Sequence, residues 1–310
     1  MLGLPIGSSV DEALVQSMAG KGYYIYKVKA LDPYGNPYSR IRVSGLTALN
    51  DTFSSLTTNS EGIFIGKSNA ESVSLTLSTP KTYYDLTSTI TQTISPVRLI
   101  TTVEQSFTFK SLPDFNYFAS NTSFYCSPFI ASIKATAVGG GAAGAFSSPR
   151  KTPEGGEVKN GEFAYNEEKI TITIGDGGDS TGSGSGDDGS ATTIQVGTTS
   201  LIGTGGSIYA SNPRTVGSAG IDGKLYGGSG GLGTYYRKNG TTGAVTEQDP
   251  TDGYSPYGGS GAGISLLYGN TFIRTAGQDG KGYGGAGGAG GAYYDDTKDL
   301  NGHATAGKGY

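Results

Sequence analysis

This sequence contains few of the side chains that catalysis commonly uses. His303 is the only histidine and Cys126 the only cysteine among the 310 residues. A Ser-His-Asp triad or a Cys-His pair would have to use His303, and a single cysteine cannot form a disulfide within the chain. A cysteine-based metal cluster is excluded for the same reason. We therefore predict a protein that is not an enzyme and that carries no cofactor.

Acidic side chains offer a second kind of chemistry, because calcium prefers oxygen ligands. Asp176, Asp179, Asp187 and Asp188 lie in a stretch rich in Gly and Ser. The tandem nonapeptide repeat of calcium-binding β-helices is absent, which favours a solvated acidic loop over a metal site. A carboxylate pair for glycoside cleavage stays open, since only the separation of the two groups in space identifies one.

Tyrosines flanked by Gly, Ser and Asp are the best candidates for a binding surface. This mixture is typical of adaptable binding loops, in which rigid rings supply contact area and small residues supply conformability. Alternatively, the rings cover the borders of a glycine core that has few side chains of its own. We predict that the following tyrosines sit in loops and contact a receptor: Tyr235, Tyr236, Tyr254, Tyr257, Tyr293 and Tyr294.

The first 20 residues predict a short amphipathic helix. Ser9 and Glu12 have the spacing of a capping box, and a glycine suits the end of the helix at position 20. Val10, Leu14 and Met18 recur every four residues and would share one face. That face either packs on its own domain or docks on a partner protein, and docking is the hypothesis we carry forward for this segment.

Two regions of different composition must position these residues. Residues 1–138 contain 8 glycines and residues 139–310 contain 46 of the total of 54. The net charge of −4 gives no broad basic surface for nucleic acid. No apolar run reaches the roughly 18–20 residues that span a bilayer, and the N-terminus lacks the basic residues of a secretory signal. We expect neither a nucleic-acid partner nor membrane insertion.

Residues 21–105 predict an antiparallel β-sandwich, because short alternating strands follow one another with frequent turns. Examples are Tyr23–Ala30 and Arg40–Ser44, joined by a turn over Leu31–Pro37. Three motifs, Tyr26–Pro37, Ile41–Val43 and Thr58–Phe64, resemble the prealbumin-like sandwich of carboxypeptidase regulatory-like domains. The resemblance implies an Ig-like, prealbumin-like spacer domain and not a catalyst.

Residues 106–310 alternate strands with glycine runs. In order, the motifs are Ala137–Gly141, Ile170–Gly175, Gly189–Thr193 and Gly205-Gly206. This series resembles the glycine-rich domain of bacteriophage tail fibres and adhesins. Short glycine runs and an inserted aromatic loop at 115–129 depart from that pattern.

A three-residue period in Gly284–Ala292 matches the three residues per turn of a polyproline-II-type helix. Several such helices side by side would be joined by backbone hydrogen bonds. The predicted fold is therefore mainly β, an N-terminal sandwich followed by a glycine-rich domain of polyglycine-II type. Against disorder stand apolar anchors such as Ile170–Ile174, which a linker would not need.

The resemblance implies a virion protein made in the bacterial cytoplasm, namely a phage tail or baseplate appendage. The N-terminal region would attach to other virion proteins, and loops of the glycine-rich domain would bind a glycan or protein of the host surface. A capsid decoration or head-fibre protein is the alternative, and a polysaccharide depolymerase is a less favoured one. The sequence leaves the host, the receptor and the oligomeric state open.

Overall fold

Two units of mainly β structure make up the chain. Residues 1–114 and 124–129 form the first unit, and residues 115–123 and 130–310 form the second. The first unit thus extends past the predicted boundary at residue 105 and takes in part of the aromatic loop. The computed structural model describes residues 12–308 except 97–99, 145–151, 181–185, 209–213, 215, 231–234, 243, 251, 254–262, 268–270, 277, 287–290, 296–299 and 305–307.

The first unit is a β-sandwich preceded by a helix, as predicted. The elements are α1 Glu12–Ala19, β1 Tyr24–Leu31, β2 Arg42–Ser44, β3 Thr47–Ala48, a 3-10 turn Asp51–Phe53, β4 Ile63–Ser68, β5 Val73–Ser78, β6 Thr89–Ile94 and β7 Ile100–Ser106. One sheet has the strand order β3-β4-β1-β7 and the other the order β2-β5-β6. Strand β1 pairs antiparallel with β4 and parallel with β7.

The predicted turn between the first two strands is confirmed, and Asp32 fixes its shape. Its carboxylate Oδ1 accepts hydrogen bonds from Tyr34 N at 2.8 Å and from Asn36 N at 2.9 Å. Gly35 supplies the left-handed conformation between them, with φ of 84°. Asp32 therefore acts as an internal template for the turn.

Helix α1 packs on the sandwich chiefly through Val15, which was not among the residues predicted for docking. Val15 is buried in the core, and Leu14 and Met18 are half-buried against the same core. The domain itself therefore uses part of the face that we assigned to docking. Val10, the third residue of that hypothesis, lies outside the described residues.

Strands also account for much of the second unit. The strands are β8 Thr122–Phe124, β9 Ser132–Val138, β10 Val158–Ala164, β11 Ile170–Thr173, β12 Thr192–Val196, β13 Thr199–Gly203, β14 Ser218–Ala219, β15 Leu225–Tyr226, β16 Tyr235–Lys238, β17 Val245–Gln248, β18 Gly263–Leu267, β19 Thr271–Thr275, β20 Gly291–Asp295 and β21 Leu300–Ala304. One sheet has the order β13-β12-β11-β8, another the order β17-β16-β20-β21, and β9-β10, β14-β15 and β18-β19 form separate pairs.

Segments between these strands pack side by side without forming a sheet, and we call them the glycine lattice. Backbone hydrogen bonds join each segment to its neighbours. The segments described by the structure are 139–143, 152–157, 175–179, 186–190, 204–208, 227–230 and 283–286.

Segment 139–143 shows a three-residue period in its hydrogen bonds. Gly139 N donates to Glu157 O at 2.9 Å. Three residues later, Ala142 N donates to Glu154 O at 3.0 Å. Both donors therefore face segment 152–157, which runs in the opposite direction.

The backbone N–H groups of the next residues, Gly140 and Ala143, donate to a second neighbouring segment, 186–190. Gly140 N donates to Ser190 O at 2.9 Å, and Ala143 N donates to Asp187 O at 3.0 Å. The carbonyl oxygen of Gly140 accepts from Gly206 N, in a third segment, at 2.9 Å. A β-strand bonds to neighbours in one plane, whereas these bonds radiate with the period of a polyproline-II-type helix. The predicted polyglycine-II-type packing is confirmed in this part of the chain.

Glycine is required where these backbones touch. A Cβ atom on Gly140 would overlap the carbonyl oxygen of Asp176, and a Cβ on Gly189 would overlap the carbonyl oxygen of Gly140. Each obstacle is backbone, so no side-chain movement relieves the overlap. The close approach of segments explains the glycine content of this half.

The stretch from which we predicted the three-residue period is not a single helix. Gly284–Ala286 belongs to the lattice, but Gly291 and Ala292 lie in strand β20. The residues between them, including Gly288, lie outside the described residues. Pairing with β16 and β21 explains the change, because it places Gly291 and Ala292 inside a regular ladder.

Candidate binding end of the glycine-rich unit

The lattice has two distinct ends, because its segments continue directly into strands at one of them. Strand β9 leads into 139–143, β11 into 175–179, and β13 into 204–208. Segments 152–157 and 186–190 run back and lead into β10 and β12. We call the end that carries β9–β13 the near end and the opposite end the far end.

Backbone bonds hold several segment termini together at the far end. Ala143 N bonds to Asp187 O at 3.0 Å, and Asp187 N bonds to Asp179 O at 2.9 Å. Glu154 N bonds to Ser207 O at 3.0 Å. These termini flank the connections 145–151, 181–185 and 209–213, which are outside the described residues. The lattice therefore delivers the ends of three connections to one place.

An ion pair between a buried carboxylate and a half-buried guanidinium reinforces this end. Glu154 is 8% exposed, and its Oε2 lies 3.2 Å from Nη2 of Arg214. The guanidinium also donates from Nε to Gly155 O at 3.2 Å and from Nη2 to Gly205 O at 3.0 Å. Arg214 thus clamps segment 152–157 to segment 204–208, using donors that match backbone carbonyls.

Two segments that run side by side in the lattice lead to the tyrosine strands. Gly227 N bonds to Tyr283 O, and Ala286 N bonds to Gly228 O, each at 2.9 Å. Gly230 N bonds to Pro153 O, beside Glu154 at the far end, at 3.1 Å. The chain then continues into β16 from the first segment and into β20 from the second.

Strands β16 and β20 pair in parallel and bring four of the predicted tyrosines together. Tyr236 is opposite Tyr293, and Tyr235 is opposite Ala292. Tyr294, next in β20, is opposite Arg237. Strands β17, β16, β20 and β21 form one sheet, which we call the tyrosine sheet. The separate hairpin β18–β19 packs against strands β20 and β21 of the tyrosine sheet.

The prediction that these tyrosines sit in loops is wrong for the four described residues. Tyr235 and Tyr236 belong to β16, and Tyr293 and Tyr294 belong to β20. Tyrosine favours a pleated strand, and pairing with neighbouring strands overrides the flanking glycines. Tyr254 and Tyr257 lie outside the described residues.

Sequence reasoning missed a second cluster of polar and aromatic side chains in this unit. Tyr117 and Tyr226 donate their hydroxyl hydrogens to Asp222 Oδ2 at 2.8 and 2.7 Å. The Lys224 ammonium donates to the Tyr117 hydroxyl at 3.1 Å and stands 4.8 Å from the centre of that ring. The inserted aromatic loop was the only signal for it, because Asp222 is more than a hundred residues from Tyr117.

Hydrogen bonding and burial shift the pKa values of Asp222 and Tyr226 in opposite directions. The bond from Tyr226 is the main cause that lowers the pKa of the Asp222 carboxyl. Burial is the main cause that raises the pKa of Tyr226, and its bond to Asp222 adds to the effect. The carboxylate accepts from two phenols and from Lys224 N, so it tethers loop 115–123 to the hairpin β14–β15.

Two of the four acids considered as calcium ligands form other contacts through their side chains. Asp179 forms an ion pair with Lys308 at 2.9 Å, and Asp188 Oδ1 accepts from Ile208 N at 2.7 Å. Among the residues that the structure describes, no three His, Cys, Asp or Glu side chains are grouped as metal ligands. These contacts favour a structural interpretation of the acidic stretch.

His303 and Cys126, the two residues considered above for catalysis, lie in different units. His303 lies in β21, at the register position opposite Ala292. Cys126, in the first unit, is half-buried, and burial with the nearby Asp85 carboxylate raises its thiol pKa to about 12. A thiol with this pKa is protonated at neutral pH and is a poor nucleophile.

Comparison with known proteins identifies no relative. No family model matches the chain, and no curated protein sequence matches it. Among the described residues, no helix is both long and apolar enough to cross a membrane.

Proposed function

We propose that this protein is a phage virion appendage that attaches the particle to the host cell surface through the far end of the glycine lattice. The observation that carries the proposal is the parallel pairing of β16 with β20, which sets Tyr236 beside Tyr293. Tyrosine combines apolar contact area with a hydroxyl, and it is enriched where proteins bind partners. The ligand is a glycan or a protein of the cell surface.

The lattice supports this proposal because it is a scaffold held by backbone bonds. A binding surface on a rigid scaffold loses little conformational entropy when it meets its ligand. The clamp of Arg214 on Gly155 and Gly205 secures two of the lattice segments at the far end. Because the interior of the lattice contains few side chains, the binding residues can vary without destabilising it.

The sandwich serves as a spacer in this proposal, and the N-terminal segment attaches it to other virion proteins. Leu14 and Met18 remain half-exposed while they pack on the core, so a partner can cover the rest of their surface. Tail or baseplate is the proposed location. Labelled antibodies on intact particles test it, and labelling of the capsid instead would assign the protein to the head.

Replacing Tyr235 and Tyr236 together by alanine should leave unit 2 folded and reduce adsorption to host cells more than tenfold. Adjacent residues of a strand lie on opposite faces of a sheet, so the double variant removes the ring on whichever face binds. One aromatic residue at the centre of an interface contributes about 2 kcal/mol or more. Adsorption of particles that carry the variant is measured beside the melting curve of the isolated protein.

The matched control replaces another tyrosine pair, Tyr23 and Tyr24, in the first unit. Tyr24 is 36% exposed and stands at the start of β1, so this variant removes two rings from the spacer. Adsorption should stay normal. Equal losses for both pairs, or normal adsorption of the Tyr235 and Tyr236 variant, would contradict the proposal. Release of sugar from host polysaccharide would instead support a depolymerase.

A further inference from the structure

Asn-Gly pairs occur three times in the chain, and the structure places them in different backbone settings. Asn160-Gly161 lies within β10 and Asn301-Gly302 within β21. Asn239-Gly240 connects β16 to β17 at the end of the tyrosine sheet. This third pair begins the connection of a β-hairpin that is longer than the two-residue turn typical of Asn-Gly.

The side-chain amide of Asn239 is bound by the turn itself. Its Oδ1 accepts hydrogen bonds from Thr241 N at 2.8 Å and from Thr242 N at 2.9 Å. The backbone N of Asn239 donates to Ala244 O at 2.9 Å and closes the hairpin. Gly240, between Asn239 and these donors, is exposed.

We propose that Asn239 is a site of spontaneous modification, at which the asparagine amide converts to a mixture of aspartate and isoaspartate. The Gly240 backbone nitrogen loses its proton to a solvent base and attacks Cγ of Asn239. A carbon–nitrogen bond forms, the Cγ–Nδ2 bond breaks, and ammonia leaves with one proton. Water then opens the five-membered succinimide at either carbonyl, so no oxidant or reductant is needed.

The turn favours this reaction in two ways. Negative charge develops on Oδ1 during the attack, and the N–H groups of Thr241 and Thr242 already point at that oxygen. Donors fixed at such distances stabilise a developing oxyanion without reorganisation. Gly240 also has no Cβ to obstruct the approach of its nitrogen, and its freedom of rotation allows the ring to close.

Asn160 shows the contrasting case. Its Oδ1 accepts from the Thr136 hydroxyl at 2.7 Å, and its Nδ2 donates to Ala219 O at 3.0 Å. Asn160 is also opposite Thr136 in the ladder of β9 and β10, which keeps its backbone extended. Gly161 N cannot reach Cγ of Asn160 until the strand opens. Asn301 is likewise in a ladder, opposite Tyr294.

Conversion at Asn239 would place a new carboxylate at the end of β16, the strand that contains Tyr235 and Tyr236. Isoaspartate also routes the backbone through the former side chain and lengthens it by one carbon. The tip of the hairpin would change in charge and in geometry as the protein ages. This inference depends on the turn alone and holds whatever the tyrosine sheet binds.

The test is to incubate the folded full-length protein at pH 8 and 37 °C and to follow all three Asn-Gly pairs by peptide mass spectrometry. The readout is the mass increase from amide to acid, with fragmentation to identify isoaspartate. Because opening a paired strand costs free energy, Asn160 and Asn301 should react at least about tenfold more slowly than Asn239. Urea-denatured protein serves as the reference, in which the three pairs should react at similar rates.

Two results would overturn the proposal. One is a rate at Asn239 in the folded protein no higher than at Asn160, and the other is a rate at Asn239 far below its rate in the denatured chain. The variant N239Q is the chemical control, because its longer side chain must form a less favourable six-membered ring. It should stay unmodified.

Discussion

Replacing Gly140 by alanine should destabilise the second unit by about 4 kcal/mol or more, a loss at the extreme of single substitutions. The added Cβ would overlap the carbonyl oxygen of Asp176. Gly140 cannot move aside, because its N bonds to Ser190 and its O accepts from Gly206. A whole domain is held by roughly 5–15 kcal/mol, so the variant should lose much of its lattice.

Protease resistance of residues 130–310 in increasing urea measures the effect, with the sandwich as an internal reference. Gly223→Ala is the matched control in the same unit. Gly223 has a φ of 75° but no atom within 4 Å of a Cβ, so alanine there meets only backbone strain. That strain costs about 1–2 kcal/mol. Similar losses for the two variants would show that the lattice accommodates a methyl group.

The second large effect is expected at Asp85 in the first unit. Its carboxylate accepts from Ser127 N at 2.7 Å and from Ser127 Oγ at 2.6 Å. Asp85 is 7% exposed and Ser127 is 0% exposed. Alanine at position 85 would leave two buried donors without an acceptor. Each such group costs about 1–3 kcal/mol, so we expect a loss of about 3 kcal/mol in the free energy of unfolding.

Labelling of Cys126 by a thiol reagent gives an independent measurement of the same variant. Burial, with the Asp85 charge as the lesser cause, raises the pKa of this thiol. Asp85→Ala removes the charge and loosens residues 124–129, so labelling should become faster. Ser127→Ala keeps the charge and removes only one donor, with an expected loss of about 1 kcal/mol. A slower or unchanged labelling rate in Asp85→Ala would contradict this role.

Local patterns predicted much of the fold. The alternating residues of β1, the turn at Asp32 and the strand at Ile170–Thr173 were all foreseeable, because period-two burial and turn chemistry act over a few residues. The helix was predicted as well, but Val15, the most deeply buried of its described residues, was not among those assigned to its apolar face. Which face of so short a helix is buried depends on the sheet beneath it.

The lattice and the candidate site depend on contacts between distant residues. Gly140 meets Gly206, and Asp222 meets Tyr117, through pairings that a single sequence does not record. Segment 152–157 contains two glutamates and no glycine run longer than two, yet it belongs to the lattice. In a helix with three residues per turn, one position in three can face away from the neighbouring backbones. Such a position can carry a side chain that forms bonds at the edge of the lattice, as Glu154 does with Arg214.

The interior of the glycine lattice also determines how its stability responds to temperature. Segment contacts such as Gly140 with Gly206 bury peptide groups and little hydrocarbon. Exposed apolar surface raises the heat capacity of an unfolded chain, whereas exposed peptide groups lower it. Calorimetry should therefore find a heat-capacity increment for unit 2 below the usual value of about 12–15 cal/mol/K per residue. A small increment flattens the stability curve, so the glycine-rich unit should keep its stability in the cold better than the sandwich.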